Sequence, residues 1–393
     1  MRFALSASVL LIGLSVASAQ SPGRHFVPRA PSLTPVPASA AVRAGGFVYA
    51  SGMLSEPGGD IRTQTRAVLD GLQVTLTKAG SSLANAASVT VYLRRAEDFA
   101  AMNDVYRTFW PTDPPVRTTV VVQPVQPQAD VYISTIAVPA GGERRVVHPR
   151  GWLRSPNPYS YGIQSGDTLF LAGLVSRNGR DNTAVPGDIT TQTRTVLANA
   201  GEILEAAGLG YANVVSSRVY LTDASTFPTM NAAYRGVFTS APPARATVIT
   251  GLTSPDYLVE ITMVAVKGQK DVFTTPNPDG TPGQANPVLS GAVRVGDRLW
   301  VSGTLGDTPA TRGDMAAQTR EALARIVRTM KVAGFEPSQV ADGVIYLADL
   351  AGYQAMNGAY RETFAQDFPA RATIRAGLVA PDGLVELMLT AVK

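Results

Sequence analysis

The sequence predicts three tandem α+β domains, and three observations lead there. A nine-residue segment occurs three times, starting at Ile61, Ile189 and Met315 and built around Gln-Thr-Arg. Its glutamines, Gln64, Gln192 and Gln318, stand 128 and then 126 residues apart, and the same offsets separate Asn103, Asn231 and Asn357 and again Arg117, Arg245 and Arg371. Each recurrence also holds two helical stretches among strands that read as mostly antiparallel, the pattern of a sheet covered by helices on one face. Constant offsets across separate landmarks mean duplicated domains, and a unit of this length can hold its own core.

The second copy shows each element in order. Tyr161 to Gly173 alternates about a Gly166-Asp167 turn and predicts a hairpin. Asp188 caps a run carrying Val196, Leu197, Ile203 and Leu204 at helical spacing, and Gly208 closes it, predicting a long helix. The stretch from Val214 to Leu221 reads as a buried strand. A second helix starts at Asp223 or Ser225, continues through Tyr234 and Phe238, and is stopped by Pro242-Pro243. Two strands, Ala246 to Thr250 and Tyr257 to Val266, joined through Ser254-Pro255-Asp256, complete the unit. The order is β-β-α-β-α-β-β, with room for a further short strand after the first hairpin.

The repeats occupy residues 38–138, 158–267 and 288–393. The Pro/Gly-rich stretches 20–37, 139–157 and 268–287 lack periodicity and read as surface linkers. Residues 1–19 combine one arginine, an apolar run and a small-x-small end at Ala17-Ser18-Ala19, the signature of a secretory signal. The run is shorter than the roughly 20 residues a membrane span requires, so the expectation is an exported protein, periplasmic or secreted, free of the membrane after cleavage. A 45% hydrophobic and 16% charged composition is that of a globular chain, and the net charge of +4 is dispersed, which argues against a nucleic-acid partner. With no Cys and only His25 and His148, thiol chemistry is excluded and His-rich metal sites are not expected.

Several residues recur where chemistry would need them. Arg117, Arg245 and Arg371 each open a strand just after a Pro-terminated helix, in a Pro-x-Arg-x-Thr setting, where a planar guanidinium can hold a carboxylate. Glu260 and Glu386 interrupt apolar strands, an expensive position unless the carboxyl faces a wet cleft or a cation. Either could activate a water beside an arginine-held ligand, or serve as the arginine's structural partner. Thr119, Thr247 and Thr373 share the arginine's strand face and can only hydrogen-bond or fill the strand. The asparagines lie three residues before Tyr106, Tyr234 and Tyr360, which read as core.

The Pro158-Tyr159-Ser160 start, the Ser-Gly or Ala-Gly hairpin end, Thr-Gln-Thr-Arg, Met-Asn-x-x-Tyr, Pro-Ala-Arg-Ala-Thr and Leu-Val-Glu-Ile resemble the RidA/YjgF family, also labelled endoribonuclease L-PSP. The resemblance implies chorismate-mutase-like α+β domains, with two helices on one face of a mixed sheet, that form trimers with ligand clefts between neighbours. Three such units in one chain then imply an intramolecular pseudo-trimer, monomeric as a chain. It also implies hydrolysis of 2-imino and enamine acids to 2-keto acids and ammonia, without metal or cofactor, on a small imino or keto acid. In this reading Arg245, Glu260, Arg371 and Glu386 are catalytic, with arginine holding the carboxylate and glutamate orienting water. Arg117, the three asparagines, the three threonines, Tyr159, Ser51 and Ser302 bind substrate.

The copies are unequal. The glutamate position holds Tyr132 in the first repeat, the family tyrosine occurs only as Tyr159, with Ala38 and Leu289 in its place elsewhere, and Ala172 replaces the serine in the second. At most two of three clefts are therefore expected to combine arginine with glutamate. A non-catalytic carboxylate-binding or sensing protein is the alternative. Ribonuclease action, the older label, is disfavoured by the lack of basic patches and of a histidine pair.

Overall fold

The computed structural model describes residues 23–30, 36–54 and 58–393; the expected signal segment lies outside them. Three seven-stranded sheets carry the chain. The first repeat supplies Ala41–Ala44, Phe47–Leu54, Ala86–Leu93, Val116–Val121 and Val131–Ala137, with helices α1 (Ile61–Lys78) and α2 (Phe99–Phe109). The second supplies Gly162–Ser165, Thr168–Leu171, Val214–Leu221, Ala244–Ile249 and Val259–Val266, with α3 (Ile189–Ala206) and α4 (Phe227–Arg235). The third supplies Ala292–Val295, Arg298–Leu305, Val340–Leu347, Ala370–Arg375 and Val385–Val392, with α5 (Met315–Val332) and α6 (Tyr353–Thr363). Named strands pair antiparallel except those joined by the second helix of each repeat, which run parallel because a helical crossover returns the chain in the same direction.

The helix signals act where the sequence places them. Asp188 accepts the Thr191 N–H at 2.8 Å, and Gly208, at φ +72°, ends the helix in the left-handed region that glycine adopts without cost. The second helix is shorter than expected: Asp223 caps a single 3-10 turn, Ala224–Thr226, and α4 ends at Arg235, before Phe238.

Two features differ from the sequence reading. Each stretch read as a linker contains a strand, His25–Val27, Arg145–Val147 or Asp271–Phe273, that pairs with the first hairpin strand of the following repeat. Three residues are too few to show alternation. Each repeat also lends a two-residue strand to a neighbour. Gln123–Pro124 pairs with Arg375 and Ile374 of the third repeat, Gly251–Leu252 with Val121 and Val120 of the first, and Gly377–Leu378 with Ile249 and Val248 of the second. The three exchanges close a ring within one chain.

Burial explains the ring's cohesion. On the outside, helices bury an apolar face on their own sheet, as Leu69, Leu72, Leu76 and Met102 do in the first repeat. On the inside, the other sheet faces meet in one core around Tyr92, Tyr220 and Tyr346, with Val120, Val248 and Ile374 from the three repeats. Burying side chains of this size contributes about 1.5–3 kcal/mol each, so the shared core outweighs the few exchanged backbone hydrogen bonds. Among the described residues, no helix is long and apolar enough to cross a membrane.

Candidate active site

Three candidate clefts lie at the junctions where the arginine strand of one repeat meets the hairpin of the next. Equivalent backbone bonds stitch each junction: Ser160 N–H to Pro115 O at 3.1 Å, Ser290 N–H to Pro243 O at 3.2 Å and Ser39 N–H to Pro369 O at 3.3 Å. The first cleft therefore combines repeats one and two, the second repeats two and three, and the third repeats three and one.

The arginines lie buried at these junctions. Arg117, Arg245 and Arg371 are only 3%, 1% and 2% exposed. Each guanidinium lies over a tyrosine ring from its own second helix, Tyr106 at 4.8 Å, Tyr234 at 4.7 Å and Tyr360 at 4.6 Å, so cation–π attraction offsets part of the desolvation. Burial holds all three below the ordinary arginine value, and the tyrosines oppose that shift. In the second cleft Arg245 Nη2 donates to Asn231 Oδ1 at 2.7 Å, and in the third Arg371 Nη2 donates to Asn357 Oδ1. The remaining Arg245 Nε and Nη1, Arg117 Nη1 and Arg371 Nε are buried without a hydrogen-bond partner. Buried donors left open in this way are costly, and an anionic ligand would satisfy them.

The acids come from the neighbouring repeat. Glu260 Oε1 accepts the Thr119 N–H at 3.2 Å, so the carboxyl faces Arg117. Glu386 accepts from the Thr247 backbone and faces Arg245. Burial pushes both carboxyls up to about 8, against the threonine N–H and the facing arginine, which favour the ionised form. Each pair feels the other's charge, yet neither makes a direct ion pair among the described residues. Glu386 Oε2 is buried and unpartnered.

Glycine makes room for the acid. A Cβ on Gly173 or Gly303 would stand 1.9 Å from Glu260 Oε1 or Glu386 Oε1. In the first and third repeats this glycine lies within a register shift between the hairpin strand and the last strand, a bulge that turns the Ser-Gly pair into the cleft. The repeated glutamine aims the acid. Gln192 donates to Asp256 O at 2.8 Å and accepts the Leu258 N–H at 2.9 Å, and Gln318 makes the same pair with Asp382 O and Leu384 N–H at 2.8 Å each. Both clamps fix the loop entering the glutamate strand.

These placements revise the expected roles. Arg245 does not meet Glu260, which faces Arg117; Arg245 faces Glu386, and Arg371 faces Tyr132. Arg117 therefore belongs with the arginine–glutamate pairs and Arg371 does not, because each cleft takes its acid from the next repeat. The Ser51 and Ser302 hydroxyls are committed to protein: each accepts the N–H of Arg371 or Arg245 at 2.8 Å and donates to Ser39 O or Ser290 O, so they position the arginine. Ala172 lacks this hydroxyl. The threonines contribute backbone N–H groups, while the Thr247 and Thr373 hydroxyls are buried without partners. Asn103 donates to Asn157 Oδ1 at 3.2 Å, and its own Oδ1 is buried without a hydrogen-bond partner, unlike those of Asn231 and Asn357. Tyr159 does reach the first cleft, its ring 5.8 Å from the Arg117 guanidinium.

Sequence reasoning missed Phe99 and Phe227, whose rings lie 5.4 Å and 5.9 Å from the guanidinium groups of Arg117 and Arg245. Their signal was an aromatic four residues before each asparagine, Tyr353 being the third. Neither histidine stands in a cleft: His148 Nε2 bonds Trp152 O at 2.9 Å, and His25 is exposed on an edge strand. Among the described residues no cluster of His, Asp or Glu could hold a metal ion.

The clefts can thus hold a small carboxylate on arginine and, in two cases, present a neutral carboxylic acid to its other end. Comparison with known proteins agrees with the unit defined here. A RutC family protein of Sulfurisphaera tokodaii is 40% identical over 28% of this chain and 89% of its own length. A 2-iminobutanoate/2-iminopropanoate deaminase of Mus musculus is 36% identical over 32% of this chain and 93% of its own. A solved chorismatase, 14% identical, covers 78% of this chain and 93% of its own at a TM-score of 0.51, a likeness of fold alone. The family model described as Endoribonuclease L-PSP matches residues 32–139, 152–267 and 282–393, and the chain belongs to this family, also called RidA/YjgF, as three successive copies.

Proposed function

We propose that the first and second clefts hydrolyse 2-imino acids, and their enamine tautomers, to 2-keto acids and ammonia. The observation that carries this reading is the pairing, in both clefts, of a buried arginine with open N–H donors and a buried glutamic acid held neutral near pH 7. Its substrate class draws on the deaminase relatives. Arginine binds the carboxylate and fixes the C=N carbon. The neutral glutamic acid gives its proton to the imine nitrogen, and the carboxylate so formed takes one from the attacking water as the C–O bond forms. The carbinolamine collapses by a second relay: the glutamic acid protonates its nitrogen, the C–N bond breaks with its electron pair leaving on ammonia, and the glutamate takes the hydroxyl proton as the C=O bond forms. The balance is imino acid plus water to keto acid plus ammonia.

One chain supplies every residue of both clefts, so we propose that it acts as a monomer, and that residues 1–19 direct it out of the cytoplasm. A second reading, carboxylate binding without turnover, is favoured only at the third cleft, where Tyr132 replaces the acid.

The test is ammonia release from imines generated by an amino-acid oxidase. Arg117→Ala with Arg245→Ala should bring release down to the buffer rate, since losing charged hydrogen bonds of about 1.5–3 kcal/mol each costs on the order of 100-fold. Undiminished release would overturn the assignment. Glu260→Gln with Glu386→Gln, nearly isosteric, gives the same test should the arginine variant fail to fold.

A further inference from the structure

We propose that the third cleft is a non-hydrolytic site for short dicarboxylates of the 2-keto acid class, held between Arg371 and Arg29 with the Tyr132 hydroxyl between them. This rests on the reading of the clefts as carboxylate sites.

Tyr132 takes the acid's place by three independent landmarks. In the sheet it pairs with Tyr92 as Glu260 pairs with Tyr220 and Glu386 with Tyr346. Its hydroxyl accepts the Thr373 N–H at 3.3 Å, the equivalent of the bond to Glu260. A Cβ on Gly52 would stand 1.9 Å from that hydroxyl, the same separation that Gly173 and Gly303 show from their glutamates. With its oxygen accepting from Thr373, the phenol keeps its own proton to donate. It can hydrogen-bond a ligand oxygen, but burial opposes its ionisation, so it takes no proton from water.

The charge balance changes as well. The other two clefts set a carboxyl against their arginine, whereas here the carboxyl is gone and the Arg29 cation stands on the side where it would be. Arg29 Nη2 donates to Gly52 O at 3.2 Å, which places this exposed guanidinium at the Tyr132 side of the cleft, where its charge is felt by the phenol. The aromatic at the Phe99 and Phe227 position is Tyr353, whose hydroxyl bonds Arg371. Arg371 Nε and the Thr373 hydroxyl remain buried without partners. Two cations whose charges both reach the Tyr132 phenol, with neutral donors beside them, match a dianion whose carboxylates sit a few atoms apart.

Isothermal titration of 2-ketoglutarate and pyruvate into the Arg117→Ala, Arg245→Ala chain, which keeps only the third arginine, and into the same chain carrying Arg29→Gln tests this. The expected result is one site per chain preferring the dicarboxylate about tenfold, as one added charged hydrogen bond provides. Arg29→Gln should erase that preference and, in the otherwise wild-type chain, leave the rate of ammonia release unchanged. Absence of a one-per-chain dicarboxylate site, or a preference surviving Arg29→Gln, would overturn the proposal. Because the readout is binding, its failure is separate from failure of hydrolysis, which ammonia release reports.

Discussion

Replacing both Glu260 and Glu386 by glutamine should make the chain's stability less sensitive to alkali, and the size of the effect follows from burial. Unfolded, each glutamic acid loses its proton near 4.5; folded, each keeps it up to about 8. Between those values the folded state binds more protons, so its stability falls as pH rises. The contribution is fully present below 4.5 and is lost as pH climbs through about 8. At about 1.4 kcal/mol per pH unit, the loss is about 5 kcal/mol per carboxyl. Glutamine still accepts the Thr119 and Thr247 N–H groups but does not titrate. Urea unfolding of both proteins, followed by tryptophan fluorescence at pH 5 and pH 8, should show the wild-type midpoint dropping relative to the variant. Other titrating groups, such as the half-buried Asp342 at about 6, are common to both proteins and cancel. Midpoints that shift in parallel would refute the claim that these carboxyls are held neutral. Ammonia release should decline through the same range near pH 8, since the proton-donating form is then lost.

Gln192→Ala should cost about 1–3 kcal/mol in urea unfolding by stranding the Asp256 carbonyl and Leu258 N–H, and should slow ammonia release by loosening Glu260; an unchanged midpoint would dismiss the clamp. Gly303→Ala, introducing a Cβ 1.9 Å from Glu386 Oε1, should lower kcat at the second cleft, measured in an Arg117→Ala background. Tyr132→Glu should create a third arginine–glutamate pair and restore ammonia release to the Arg117→Ala, Arg245→Ala chain; continued inactivity would mean that the phenol is not what silences that cleft.

The repeat count, the caps of the first helix and the candidate arginines were legible because each rests on a local signal repeated three times. Asp188 and Gly208 act within one turn of their own helix, so no tertiary information was needed to place them. The pairing of clefts was not legible: Glu260 is 15 residues from Arg245 in sequence but meets Arg117, because the ring puts each acid strand against the preceding repeat's arginine. The roles of Gln192 and Gln318 were hidden for a related reason. The strongest motif in the sequence is scaffold, and its partners lie about 64 residues downstream as backbone atoms, which carry no residue signature. Arg29 escaped notice because a single arginine in a Pro-rich stretch has neither periodicity nor a counterpart at that position in the other repeats.

Fusing three units in one chain changes what selection can do with their clefts. In a homotrimer each substitution appears three times, so exchanging the acid for a phenol would silence every cleft at once. Here Tyr132 alters one cleft while Glu260 and Glu386 stay in the other two. The same freedom explains the remaining inequalities: Ala172 removes the hydroxyl that anchors the arginine backbone only in the first cleft, and Tyr159 adds an aromatic wall only there. The shared core around Tyr92, Tyr220 and Tyr346 ties the three units mechanically, so a cleft without an arginine–glutamate pair still contributes buried area to the ring. Stability thus holds the third cleft's framework in place, with Arg371 buried and its strand paired, and leaves its surface free to take on binding without catalysis.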